Sequence, residues 1–354
     1  MKGSNTIGGY SDILIGPHSI AFDITNKCNL RCLHCYNSSG ENIVVNNELT
    51  DQEVLNFIDD ISKFKLYRFS FCGGETMLRK ELLIECTKRL KAKGTHIVSM
   101  VSNGILIAQE TAKELKEAGI DSIKISIDGS SSCTHDKLRN QTGSFEKTIS
   151  GIKNLLEAGF NPNFAFTPTS FNSHEIKEVH KLLIALGVRK GTLGTQPLMF
   201  LGRAYRNLEE IKASNLQYRK LIKDIAEINS TDTTLKVTWG DPIEHLIRFR
   251  TISKHCVDHC TIQANGNIVI SPYLPLVIGN IRKYSIYEYW NSGLPGVWNF
   301  NIPKEMAKSV LSISDMNKES NNMPKVFEEE SLYIDLIDDD LNDMDCIEKN
   351  LNVI

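Results

Sequence analysis

Three cysteines crowd one short stretch, Asp23-Ile24-Thr25-Asn26-Lys27-Cys28-Asn29-Leu30-Arg31-Cys32-Leu33-His34-Cys35-Tyr36, at C-x3-C-x2-C spacing. A tight loop can turn three such thiols toward one metal centre. Thiolate is a soft ligand suited to zinc, copper(I) or iron–sulfur clusters. A four-iron cluster has four corners, so three cysteines leave one iron open to a small molecule. Cys28, Cys32 and Cys35 with His34 would equally suit the closed tetrahedral site that structural zinc prefers. The spacing alone leaves both readings open.

The elements that must position this loop are legible as alternating strands and helices. A strand over 19–25 feeds the cysteines, and a helix over 49–64 follows, with Thr50, Asp51 and Glu53 as cap and first-turn acids. Strands are then predicted over 67–72, 96–101, 122–127, 163–169 and 188–195, with helices over 80–93, 108–118, 144–158 and 173–186 between them. Such alternation implies a parallel sheet wound by right-handed crossovers. The expected fold class is α/β, a partial (β/α)6 TIM-like barrel with a small C-terminal α+β extension. Barrels of this kind carry chemistry on the loops after their strands. The cysteine loop, Gly73-Gly74-Glu75, Ser102-Asn103-Gly104 and Asp128 all fall there.

These motifs, in this order, resemble the radical S-adenosylmethionine (SAM) superfamily, whose signature is C-x3-C-x-aromatic-C. His34 holds the aromatic slot here, with Tyr36 just after. The resemblance implies a [4Fe-4S] cluster on Cys28, Cys32 and Cys35, with SAM chelated by the open iron. An electron from the cluster would cleave SAM to a 5′-deoxyadenosyl radical that abstracts hydrogen from a substrate carbon. Gly73, Gly74 and Glu75 match the family's GGE motif, which receives the SAM amino group. Ser102 and Asn103 stand where relatives place polar residues near the SAM ribose and carboxylate. Ser126 and Arg139 match further SAM-contacting positions. His34, Tyr36 and Asp128 complete the expected cofactor pocket.

The composition excludes several other classes. Of 354 residues, 41% are hydrophobic and 23% charged, with a net charge of −3 and no basic stripe for nucleic acid. No apolar run approaches the ~18 residues of a membrane span, and the N-terminus lacks a signal peptide's apolar core. Nine cysteines in so long a chain read as metal ligands in a reducing compartment rather than as disulfides. The expected location is the cytoplasm, without membrane or nucleic-acid partners.

The expected division is an N-terminal segment 1–18, a barrel 19–230, an extension 231–303 and an acidic, flexible tail 304–354. Within the extension, 256–290 resembles the SPASM auxiliary-cluster domain, with a hairpin turning at Asn265-Gly266. Its ligands break the pattern: Cys256 and Gly266 match, but Ser271 fills the next cysteine slot. Two thiols do not complete a four-iron cluster, so a second centre of that kind is not expected, although Cys256, Cys260, His255 and His259 offer a ligand set for zinc or a two-iron cluster. Cys256, Cys260 and Cys133, which follows the fourth strand, are also candidate thiol hydrogen donors. Cys72 and Cys86 are assigned to packing. The resemblance implies a ribosomally made peptide as substrate, epimerised or crosslinked. Tetrapyrrole side-chain modification is the alternative, and a non-catalytic zinc- or cluster-bearing protein the alternative of another class. An external electron donor of flavodoxin or ferredoxin type is implied. With about twenty residues before the first strand, too few for a fused leader-binding domain, a separate leader-recognition protein or a surface on this chain is expected to take that part.

Overall fold

The structure, a computed structural model, describes residues 15–41, 47–240, 246, 259–316 and 331–347. Seven strands, β1 (Ser19–Thr25), β2 (Arg68–Gly73), β3 (Ile97–Ser102), β4 (Ser122–Ser126), β5 (Asn163–Phe166), β6 (Gly191–Thr195) and β7 (Leu235–Trp239), lie side by side in chain order. Every neighbouring pair among them is parallel. The crossovers carry helices α1 (Asp51–Ile61), α2 (Lys80–Ala92), α3 (Gln109–Ala118), α4 (Ser132–Arg139), α5 (Ser144–Glu157) and α6 (Ile176–Ala185). Short helices α7 (Gly202–Arg206) and α8 (Leu208–Ile211) and the longer α9 (Asn215–Thr231) lead from β6 to β7.

Local signals set these boundaries. Thr50 and Glu53 close a reciprocal capping box on α1, and Val54, Phe57, Ile58 and Ile61 are its buried stripe. Gly119 ends α3 in the left-handed conformation at φ +100°. Side chains alternate across each strand. Along β2, Phe69 and Phe71 are fully buried, while Ser70 and Cys72 are half-buried on the opposite, inner face.

The C-terminal part departs from expectation in three ways. The strand Leu235–Trp239, placed in the extension by the sequence, pairs parallel with β6 and continues the barrel sheet. β8 (His259–Ile262) pairs parallel with β1, so the extension joins the same sheet instead of forming one apart. β8, β9 (Asn267–Val269) and β10 (Leu276–Asn280) then run antiparallel, with Gly266 at φ +89° in the anticipated turn.

The third departure is the tail, which is not a solvated acidic segment over 331–347. β11 (Leu332–Tyr333) adds to β10, and Leu332, Ile334, Leu336, Leu341 and Ile347 are buried. Its acid Asp335 is 1% exposed and accepts hydrogen bonds from the Tyr289 and Tyr333 hydroxyls at 3.0 Å each. The apolar residues interleaved with the acids outweigh their charge. The sheet order is β11-β10-β9-β8-β1-β2-β3-β4-β5-β6-β7, with β11 and β7 at its two ends and the barrel open. One continuous core runs from Phe22 and Phe164 to Tyr289 and Trp298.

Candidate active site

The end of β2 is fitted against the loop that leaves β1. Gly73 takes φ +117°, and a Cβ there would strike the Thr25 carbonyl. A Cβ on Gly74 would strike the Lys27 carbonyl. Gly74 N donates to Thr25 O at 2.7 Å and Glu75 N to Lys27 O at 2.8 Å. Two glycines are thus required for the strand end to hold the cysteine loop by its backbone.

The loop is held from its other side by α7. Arg203 donates from Nε to Cys32 O at 2.9 Å and from Nη2 to Ser39 O at 3.1 Å, and it pairs with Glu41. Ala204 N donates to Cys35 O at 3.2 Å, and Arg206 pairs with Glu41 at 2.7 Å. Gly202 sits so close that a Cβ would meet the Tyr36 carbonyl.

Cys28, Cys32 and Cys35 line one cavity of about 270 Å³, together with His34, Tyr36, Gly73, Gly74, Ser102, Asn103, Ser126 and Arg139. Each sulfur receives one N–H. Leu30 N donates to Cys28 Sγ at 3.5 Å, Ser39 N to Cys35 Sγ at 3.4 Å and Arg139 Nη1 to Cys32 Sγ at 3.7 Å. Hydrogen bonds of this kind stabilise sulfur that carries negative charge. Burial opposes that charge at two of them: it pushes the Cys28 thiol up and the Cys32 thiol up to about 11, against the pull of Arg139. Metal binding would then release protons. Among the described residues no three His, Cys, Asp or Glu side chains converge as a single ion requires. The three thiols instead face a shared cavity, which fits a multi-atom cluster.

A buried polar assembly backs the cavity. Arg139, 7% exposed, pairs with Asp128 at 2.5 Å, and His34 Nε2 lies 3.5 Å from the same carboxylate. Thr167 N donates to Asp128 Oδ1 at 2.7 Å. Burial pushes Asp128 up, but Arg139 and His34 more than offset it and hold the carboxyl below its usual range. His34 Nδ1 and Arg139 Nε are buried and have no protein partner. Both residues line the cavity, so a polar ligand there would satisfy groups the fold leaves open.

Two expected ligands of SAM turn out to work from behind. Glu75 is fully buried and does not line the cavity. Its Oε1 accepts from Ser102 Oγ at 2.7 Å and Met77 N at 3.0 Å, and its Oε2 from Asn103 N at 2.8 Å. The carboxylate therefore ties the ends of β2 and β3 together. Asp128 is likewise enclosed, and its contribution is to orient Arg139. Asn103 Nδ2 donates to Asn29 Oδ1 at 2.8 Å, bracing the cysteine loop from β3.

The thiols singled out as hydrogen donors fare differently. Cys133 is exposed in the first turn of α4 and does not line the cavity. Cys260 is 2% exposed in the core on β8. Cys256 lies outside the described residues. Cys72, assigned by sequence to packing, does line the cavity. So do Thr167, Gln196 and Met199, which the strand-end rule alone would have flagged as a region but not by name.

The Radical SAM superfamily model matches residues 22–193. Those residues form a radical SAM domain. Proteins with this domain are enzymes, and its cofactors are a [4Fe-4S] cluster and SAM. The match ends before 256–290, so it does not extend to the stretch that resembles SPASM.

An AdoMet-dependent heme synthase of Methanosarcina barkeri is 27% identical over 296 residues, 78% of this chain and 82% of that protein. The sporulation killing factor maturation protein SkfB of Bacillus subtilis is 27% identical over 282 residues, 77% of this chain and 64% of SkfB. SuiB of Streptococcus suis, solved with bound S-adenosylmethionine, matches at TM-score 0.67 and 15% identity, over 89% of this chain and 78% of SuiB. That likeness shows the fold, the open barrel of radical SAM proteins.

Proposed function

We propose that this radical SAM enzyme abstracts hydrogen from a carbon of a ribosomally synthesised peptide, as the opening step of epimerisation or crosslinking. Cys28, Cys32 and Cys35 would hold the cluster, which when bound would supply the reducing electron for SAM cleavage. The chain's own residues position and shield. Gly73 and Gly74 let the backbone approach the cofactor, and Ser126, Asn103, His34 and Arg139 offer polar atoms along the cavity wall. Glu75 and Arg203 fix the two loops that must not move between turnovers.

The observation that carries the peptide reading is the likeness to SuiB over 89% of the chain. SuiB has also been solved with its precursor peptide SuiA, at TM-score 0.64 to this chain. SkfB adds a second peptide maturase as a relative. A tetrapyrrole substrate is the second reading, favoured by the heme synthase whose match covers 78% of the chain at the same 27% identity. A low-potential donor of flavodoxin or ferredoxin class would supply electrons, and a separate protein would present the peptide leader. Free thiols and an oxygen-sensitive cluster suit the cytoplasm. Among the described residues no helix is long and apolar enough to cross a membrane.

The test is anaerobic reconstitution followed by two parallel assays, one with a precursor peptide encoded beside the gene and one with iron-coproporphyrin III. Peptide modification predicts about four irons per chain, with 5′-deoxyadenosine rising on peptide addition and a changed peptide. Stimulation by the porphyrin alone, with decarboxylated product, would replace the peptide reading with the tetrapyrrole one.

A further inference from the structure

Eight cysteines lie in the described residues, and they divide by surroundings. Cys28, Cys32 and Cys35 are the ligands. Cys86 and Cys260 are core residues, Cys133 is exposed away from the cavity, and Cys346 is half-buried in the C-terminal segment. Among the described residues, that leaves Cys72 as the one further thiol on the cavity wall. The alternation of β2 puts it there, since Phe69 and Phe71 occupy the core side. It directly precedes the two glycines that hold the cysteine loop.

The cavity is built for a ligand independently of this thiol. Arg139 Nε, on a side chain 93% buried by its 7% exposure, and His34 Nδ1 have no protein partner there. Beside Cys72, in register across the parallel pair, stands Asp23 of β1. Burial alone pushes the Asp23 carboxyl up to about 7. Burial likewise pushes the Cys72 thiol up to about 12, so it stays protonated at neutral pH.

Building on the radical reading above, we propose that Cys72 is a catalytic residue that returns a hydrogen atom to the substrate carbon radical. A thiol S–H bond is weaker than an unactivated C–H bond and close in strength to the α C–H bond of a peptide residue, so a thiol can return hydrogen to either kind of carbon radical. The Cys72 S–H bond breaks, a C–H bond forms, and a thiyl radical remains on Cys72. One electron from a flavodoxin- or ferredoxin-class donor and one proton, held next door by Asp23, restore the thiol. The hydrogen restored comes from the protein and not from 5′-deoxyadenosine, so the configuration at carbon is free to invert. The structure thus moves the donor role from the thiols that the sequence favours to one it assigns to packing.

The test needs no peptide. Full-length reconstituted enzyme is given SAM and dithionite in D2O, where the thiol carries deuterium. Without substrate, a 5′-deoxyadenosyl radical formed in the cavity takes its hydrogen from the nearest donor. Wild type is expected to yield 5′-deoxyadenosine with one deuterium, and Cys72→Ser or Cys72→Ala to lose at least nine-tenths of that label. Cys260→Ala is expected to keep it. An equal label in both Cys72 variants that still hold iron overturns the proposal. No 5′-deoxyadenosine from wild type would instead defeat the radical reading beneath it.

Discussion

The seven parallel strands and the four that follow share one sheet and one core, yet they use polar residues in opposite ways. In β1–β6 the polar groups gather at strand ends and open onto a cavity, with Arg139 and His34 left incompletely satisfied. In β8–β11 they turn inward and are closed off, as Asp335 is by Tyr289, Tyr333 and the backbone of Ile337. Cys260, which sequence spacing would group with a ligand set, is simply a core side chain next to Ile20 in register. The difference teaches that unsatisfied polarity, more than the presence of reactive residue types, separates a working site from a supporting module.

Substitutions can break that contrast. The largest effect is expected from Cys32→Ala, which should take iron from about four per chain to near zero and abolish 5′-deoxyadenosine. Cys260→Ala should leave both unchanged. Removing Arg139 as Arg139→Leu strands the Asp128 carboxylate in the interior. A loss of about 3–5 kcal/mol in urea unfolding is expected, since a buried pair has lost one partner. An unchanged midpoint would mean that Asp128 finds other compensation.

Asp335→Ala removes the acceptor of the Tyr333 hydroxyl and leaves the Tyr289 hydroxyl only its 3.4 Å contact with Asn280 O. It should cost about 1–3 kcal/mol of stability while 5′-deoxyadenosine per bound iron stays at the wild-type level. A fall in that ratio would show the extension reaching into the chemistry and would end the division drawn above.

The smallest effect is a pH slope. Asp23 has its folded pKa raised to about 7 from 3.8. The folded chain therefore keeps a proton that the unfolded chain releases, and stability from this group grows as pH falls from about 7 to about 4. His135 is lowered by burial from 6.5 to about 4, so the unfolded chain protonates first and stability shrinks over nearly the same interval. The two oppose each other. In Asp23→Asn the Asp23 share is gone while those of His135 and of His34, which burial also lowers to about 4, remain, and the urea midpoint should fall more steeply between pH 7 and pH 5 than in wild type.

The barrel could be read from sequence because its signals are local: capping residues, period-2 strands, and glycines where helices stop. The same holds for Gly73 and Gly74, whose places follow from the backbone geometry only glycine allows, while the spacing of Cys28, Cys32 and Cys35 foretold that three thiols would meet at one cavity. Glu75 could not be placed by type, because a carboxylate that binds a ligand and one that ties two strand ends look alike in sequence. The place of Cys72 on the cavity wall was not legible, since strand alternation gives two faces and no rule for which one meets the cavity. The tail misled through composition: its acids suggested solvation, whereas the partners of Asp335 lie on residues as distant in sequence as Tyr289. Pairings between distant segments, such as β1 with β8, leave no local trace at all.

β1 has a neighbour on each edge, β2 on one and β8 on the other. β2 is made soon after β1, but β8 leaves the ribosome only once most of the chain has been synthesised. Until then the outer backbone of the very strand that presents the cysteine loop is bare, and a bare edge is a template for pairing with other chains. The interval between the two strands is thus the period of greatest aggregation risk during synthesis. A shortened chain ending after α9, although it would retain Cys28, Cys32 and Cys35, would keep that edge open permanently and should be less soluble than the full chain.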